Sequence, residues 1–291
     1  MKTVAFIGLG VMGKLMAANL AKKYKVRSYD LNGSGNCRSA REAASGSDML
    51  ITMVPNGNDV RNAVLDALPG LKRGAIVVDM SSSDPAGTLV LGKVLKANGL
   101  AMVDAPVSGA RFKAKDGTLA IMAGGDRKAF QKVLPVLKTM GTEIFYCGRL
   151  GAGHAVKALN NYLGAAGTLA GFEALLIAQR FGLDPKPMIA AINASTGRNS
   201  TTARKIPQDI LTGAYASGFK LSLMTKDVGI AAELARGLHV NAPFLKETLK
   251  HWRAAQKMLP RDADHTEIFK FQQAISRPRR ARGKRAAAGR G

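Results

Sequence analysis

Cysteine is nearly absent: Cys37 and Cys147 are the only two among 291 residues, and they form no C-x-x-C pair. That excludes a disulfide framework and a thiolate zinc site, and points to a reducing compartment. His154, His239, His251 and His265 show no H-E-x-x-H or other ligand spacing, so no metal is expected and ordinary surface or helix positions are assigned to them. Long apolar runs are missing too. The longest, Tyr162 to Ala178, is interrupted by Glu173 and rich in small residues, which fits a buried helix rather than a membrane span. Met1-Lys-Thr-Val-Ala-Phe-Ile enters a strand at once, with no room for the regions of a secretory leader. A cytoplasmic protein without a membrane partner is expected.

Acidic residues are scarce, 20 against 43 basic ones, for a formal charge of +23. Such an excess invites a nucleic-acid reading through counterion release. Its distribution argues otherwise. The stretch 277–291 holds seven of the basic residues and no acidic one, and the remainder is scattered as on a solvated surface that attracts anionic ligands. The stretch is read as a basic disordered tail, since it has almost no apolar content beyond alanine.

What is present is alternation. Apolar runs at Thr3–Ile7, Lys25–Tyr29, Met49–Val54, Ala75–Asp79, Ala101–Asp104 and Leu119–Met122 are separated by helix-like segments, which predicts an α/β fold with a doubly wound, mainly parallel sheet. After Gly151 the strand-like runs stop. Ala152 to about Phe181 keeps helical spacing without proline, long enough to cross between domains, and Gly167 and Gly171 would let another backbone approach it closely. Further helices are predicted near 186–194, 201–210, 223–236 and 243–258. The expected division is 1–161, a dinucleotide-binding domain; 162–276, a helical domain for substrate and dimerisation; and the tail.

Gly8-Leu9-Gly10-Val11-Met12-Gly13 follows the first strand and opens a helix, the context in which G-x-G-x-x-G lets a pyrophosphate approach a helix N-terminus. Asp30 lies 22 residues after Gly8, at the end of the second strand, where a carboxylate accepts from the adenosine ribose and repels a 2′-phosphate. NAD is therefore favoured, with Arg27 and Arg38 keeping NADP open.

Four motifs occur in order: Gly8 to Gly13, Asp104-Ala-Pro-Val-Ser108-Gly109, Gly151-x-Gly-x-x-x-Lys157-x-x-Asn160-Asn161, and Lys226-Asp227. In these the sequence resembles the β-hydroxyacid dehydrogenase family, typified by 3-hydroxyisobutyrate dehydrogenase, whose helical domain is of the 6-phosphogluconate dehydrogenase kind. The resemblance implies a Rossmann-like N-terminal domain, an all-α C-terminal domain, and a site between them for a small carboxylate substrate. It implies Lys157 as general acid/base with Asn161 one helical turn on, and Ser108, Gly109 and Ala110 on the substrate carboxylate. Lys226 falls near both carboxylate and nicotinamide, and Ser82, Val54 and Pro55 fall beside the dinucleotide. Ala110 stands where the family usually has a second glycine. A homodimer or homotetramer is also implied. The alternatives are an imine reductase-type enzyme, whose members usually carry another residue at the Lys157 position, and a dinucleotide-binding protein recruited to nucleic acid by its tail.

Overall fold

The computed structural model describes residues 2–276; the basic tail, 277–291, lies outside them. The first half alternates as β1 (Thr3–Ile7), α1 (Gly13–Ala21), β2 (Lys25–Tyr29), α2 (Ala40–Ala44), β3 (Met49–Thr52), α3 (Gly57–Ala67), β4 (Ile76–Asp79), α4 (Pro85–Ala97) and β5 (Ala101–Asp104). It continues with β6 (Val107–Ser108), α5 (Ala110–Asp116), β7 (Leu119–Gly125), α6 (Arg127–Leu137) and β8 (Gly141–Gly148). Strands β2, β1, β3, β4 and β5 lie side by side and parallel, and β7 then turns antiparallel to β5. The sequence pattern missed β6 and β8. β6 continues β5 in the same register along β7, and β8 closes the far edge parallel to β7, its apolar run Ile144 to Cys147 preceded by exposed Thr142 and Glu143.

Alternation along each strand sends side chains to two separate cores. Val4 and Phe6 of β1 join Met16 and Leu20 of α1 and Val133 of α6, while Ala5 and Ile7 join Val60 and Val64 of α3 and Leu91 of α4. Covering both faces is what makes near-continuous apolar strands stable in a parallel sheet. Because β1 pairs with β2 on one side and β3 on the other, the chain reverses direction of winding at β1, and the crevice beyond the ends of β1 and β3 is the place where doubly wound sheets take ligands.

Helix α7 (Ala152–Phe181) leaves the sheet and enters a second cluster formed with α8 (Pro185–Asn193), a π-helical segment (Thr201–Ile210), α9 (Leu221–Gly237), α10 (Pro243–Met258) and α11 (Ile268–Ile275). The π form has a local cause. Pro207 has no N–H to donate, and the Leu211 N–H reaches back five residues to the Ile206 carbonyl at 2.9 Å. At Gly171 the close neighbour is the Thr201 side chain, with Cγ2 3.1 Å from where a Cβ would stand, rather than the expected backbone. No helix among the described residues is long and apolar enough to cross a membrane.

His265 is buried in this helical cluster, not on the surface. Its ring stacks on Trp252 with centroids 6.4 Å apart, and Nδ1 lies 2.8 Å from the Ser217 hydroxyl. Burial, then repulsion from Lys205, push the imidazole down to about 4 against the pull of Asp264. Since the native value lies below the unfolded one, acidification from about pH 6.5 toward 4 protonates the unfolded chain first and lowers stability in that window. Asp264, held below its ordinary range mainly by Thr266 and Ser217, loses its contribution only at lower pH. Urea unfolding at pH 7, 5.5 and 4.5 is expected to show this decline in the wild type and a flatter one in His265→Gln; equal slopes would refute the assignment.

Candidate active site

The fingerprint sets free amides at a helix start. Gly8 adopts φ +98°, and a Cβ there would stand 2.2 Å from the Met53 carbonyl; one on Gly13 would stand 1.9 Å from the Gly8 carbonyl. These two glycines therefore allow the close crossing of β1, α1 and the loop after β3. Gly10 faces open space. Helix α1 starts at Met12 without a side-chain cap, and among the described residues the amides of Gly10, Val11 and Met12 have no hydrogen-bond partner. By contrast α3, α4, α6 and α8 are each capped by their own Asn56, Asp84, Asp126 and Asp184. Orphan donors at a helix start fit a pyrophosphate. Asp30 holds the adjoining turn in place, accepting from the Leu9 N–H at 2.5 Å and the Asn32 N–H at 3.0 Å. The Arg27 guanidinium donates instead to the Glu42 carbonyl at 2.6 Å.

The loop after β3 lies beside the fingerprint and is joined to the loop after β4. The Val54 N–H donates to Ser81 Oγ at 3.0 Å, and Lys226 Nζ, from α9, donates to the carbonyls of Pro55 at 3.0 Å and Ser82 at 2.7 Å. Val54, Pro55, Ser82 and Lys226 are thus brought together. Lys226 also pairs with Asp227 at 3.1 Å. Asp227 is buried, and its other oxygen accepts from Asn161 Nδ2 at 2.5 Å. One carboxylate therefore orients two of the expected site residues, a role that the Lys226-Asp227 pair carried unseen in the sequence.

Lys157 lies one turn before Asn161 on α7, buried, with no hydrogen bond or salt bridge among the described residues. Burial pushes its ammonium below the usual lysine range; Asp227 opposes this and Lys226 adds to it. A lysine that gives up its proton easily suits proton transfer at a hydroxyl or carbonyl oxygen. Ser108, on β6, pairs with Ala120 of β7, the strand against which the first turn of α7 packs, and Gly109 and Ala110 follow it with φ +138° and +56°. For Ala110 the positive φ costs about 1 kcal/mol relative to the family's glycine.

Asp104, from the end of β5, fixes where α7 begins. Its two oxygens accept from the Gly151 and His154 amides, both at 2.7 Å, supplying the cap that α7 lacks in its own sequence. Gly153 makes the approach possible, since a Cβ there would stand 2.1 Å from the Met122 carbonyl. His154 is a correction to the sequence reading: it is helical but fully buried, its Nδ1 2.8 Å from Thr88 Oγ1 and its Nε2 3.5 Å from Asp79. Asp79 in turn accepts from Thr52 and Ser83 hydroxyls and the Ser81 N–H at 2.7–3.0 Å. This buried network joins three strand ends to the start of α7.

Residues 3–148 match the family described as the NAD binding domain of 6-phosphogluconate dehydrogenase, and residues 151–272 match the NAD-binding family of NADP-dependent 3-hydroxyisobutyrate dehydrogenase. The chain belongs to the β-hydroxyacid dehydrogenase family. Among relatives, it is 38% identical to 2-(hydroxymethyl)glutarate dehydrogenase of Eubacterium barkeri, over 83% of this chain and 85% of that one. It is 34% identical to NAD-dependent L-serine dehydrogenase of Pseudomonas aeruginosa, over 93% and 98%. The solved 3-hydroxyisobutyrate dehydrogenase of Mycobacterium tuberculosis with L-serine superposes with a TM-score of 0.87 at 30% identity, covering 94% of this chain and 99% of that one. A Streptomyces aurantiacus imine reductase, at 17% identity and TM-score 0.60 over 93% and 99%, shares the fold alone.

Within this family frame, Asp104→Asn keeps one acceptor but sets an NH2 group against the second helix amide. The variant is expected to lose about 2–4 kcal/mol of stability in urea unfolding and to reduce kcat more than NAD affinity. Wild-type stability and turnover would remove Asp104 from the account.

Proposed function

We propose that the protein is an NAD(P)-dependent dehydrogenase that interconverts a small β-hydroxy acid and its semialdehyde or keto acid, with Lys157 as general acid/base. The carrying observation is the buried Lys157, its ammonium pushed below the lysine range, one helical turn from an Asn161 fixed by Asp227. The relatives' named substrates, 2-(hydroxymethyl)glutarate, L-serine and 3-hydroxyisobutyrate, each carry a hydroxyl on the carbon β to a carboxylate. When bound, the dinucleotide supplies the hydride acceptor or donor. In the oxidation direction neutral Lys157 takes the hydroxyl proton, and in reduction the ammonium returns it to the carbonyl oxygen. Asn161 orients the reacting group, while Ser108 Oγ and the Gly109 and Ala110 amides hold the carboxylate.

Gly8 to Gly13, Val54, Pro55, Ser82 and Lys226 are assigned to the dinucleotide, with Lys226 also serving the substrate. NAD is favoured over NADP, because Asp30 sets a carboxylate at the end of β2 while Arg27 is drawn onto Glu42. We divide the chain into a dinucleotide-binding part to residue 161 and a helical part, 162–276, for substrate and pairing. Exposed Leu163, Ile177 and Phe181 along α7 support a homodimer or homotetramer. Free Cys37 and Cys147 support a cytoplasmic site.

A panel of β-hydroxy acids assayed with NAD and NADP in parallel tests the reading, with NAD expected to give a kcat/KM about tenfold or more above NADP. Lys157→Met is expected to lower kcat by about 10²–10⁴-fold while NADH still binds by fluorescence titration. Undiminished turnover in that variant would overturn the assignment.

A further inference from the structure

Of the basic residues in α5, Lys113 is the one whose side chain the fold directs to the carboxylate loop. Side chains on a helix lean toward its N-terminal end, and position 113 lies one turn after Gly109. The structure shows that lean. A Cβ built on Gly109 would stand 2.7, 3.0 and 2.6 Å from Lys113 Cβ, Cγ and Cδ, so the lysine stem lies along the open face of Gly109. Its ammonium lies two bonds beyond Cδ, within a side-chain length of the loop that Ser108, Gly109 and Ala110 form. Gly109 is needed here for a second reason besides its φ of +138°: any side chain would displace the Lys113 stem.

Among the described residues the charge on Lys113 is unpaired. The residue is exposed, and among the described residues it has no salt bridge, as is also true of Arg111. The internal cations differ. Lys226 is paired with Asp227, and Lys157 is buried near the same carboxylate. A hydroxy acid with one carboxylate is satisfied by the loop itself and leaves Lys113 without a partner. A second anionic group on the substrate, directed outward from the loop, would find it.

We propose that Lys113 is a specificity-determining residue that makes this site prefer β-hydroxy acids carrying a second anionic group, a carboxylate or an anion of similar size. The inference rests on the β-hydroxy acid reading given above and narrows its substrate class. Lys113 takes no part in proton or hydride transfer. It acts by pairing, on the exposed side of the loop, with a charge remote from the reacting carbon, and remote binding of that kind appears chiefly in KM.

Steady-state kinetics with NAD on two acids of matched skeleton test it: 3-hydroxyisobutyrate, with one carboxylate, and 2-(hydroxymethyl)glutarate, with two. Wild type is expected to favour the dianion. In Lys113→Ala the KM for 2-(hydroxymethyl)glutarate should rise about tenfold, while that for 3-hydroxyisobutyrate and the KM for NAD stay within about twofold. Lys115→Ala, which removes the same charge from the other end of α5, should change none of these. Equal KM increases for both acids, an altered KM for NAD, an effect matched by Lys115→Ala, or no effect at all would each overturn the role of Lys113 and leave the hydroxy acid reading standing. Failure of the wild type to oxidise either acid, or any acid of the wider panel, would overturn that reading and this inference with it.

Discussion

A single carboxylate, that of Asp104, holds the start of the long helix that carries Lys157 and Asn161. Two short hydrogen bonds to the Gly151 and His154 amides end β5 and begin α7 at one point. A carboxylate buried without partners would cost several kcal/mol, but here it meets two orphan amides and the positive end of a 30-residue helix. The gain is positional. A helix rises 1.5 Å per residue, so a fixed start puts Lys157 and Asn161 at fixed depth and angle from the sheet. His154, Thr88 and Asp79 carry the same anchor sideways to the loop that holds Ser81 and Ser82. The helix that carries Lys157 and the loop that carries Ser81 and Ser82 are thereby fastened to one buried polar network.

Asp227 does the corresponding work from the helical side. It fixes Asn161 and Lys226 with its two oxygens, and Lys226 reaches across to the carbonyls of Pro55 and Ser82. Its pull on the Lys157 ammonium is outweighed by desolvation, so the lysine is left easier to deprotonate than in water. Removing the acid would both free Asn161 and deepen that depression. Helix α1 shows the complementary arrangement: among the described residues the amides of Gly10, Val11 and Met12 are left uncapped, and orphan donors at a helix start fit a phosphate.

The strand, turn and helix around the fingerprint, the place of Asp30 after β2 and the one-turn spacing of Lys157 and Asn161 were legible in the sequence because each is a matter of short-range order. The helix from Ala152 to Phe181 was legible for the same reason, through unbroken periodicity without proline. Asp104 was not, although it opens the motif Asp104 to Gly109, because its partners lie 47 and 50 residues away. His154 read as an ordinary helical residue, since burial between Thr88 and Asp79 depends on the order of strands. β8 was missed although Ile144 to Cys147 is an apolar run, since exposed Thr142 and Glu143 break the alternation before it, and the π form of Thr201–Ile210 was hidden by the tolerance of helical periodicity for a proline whose effect is backbone geometry. The basic composition suggested surface charge in general; only the folded path of the Lys113 stem singled out one cation.

The central claim is that buried Lys157 is the group that moves the proton. The most direct measurement is the pH dependence of kcat for alcohol oxidation. The account predicts a rise through one ionisation lying clearly below the usual lysine range, absent from the residual activity of Lys157→Met. A profile that is flat there, or one that keeps the same ionisation in the variant, would contradict it.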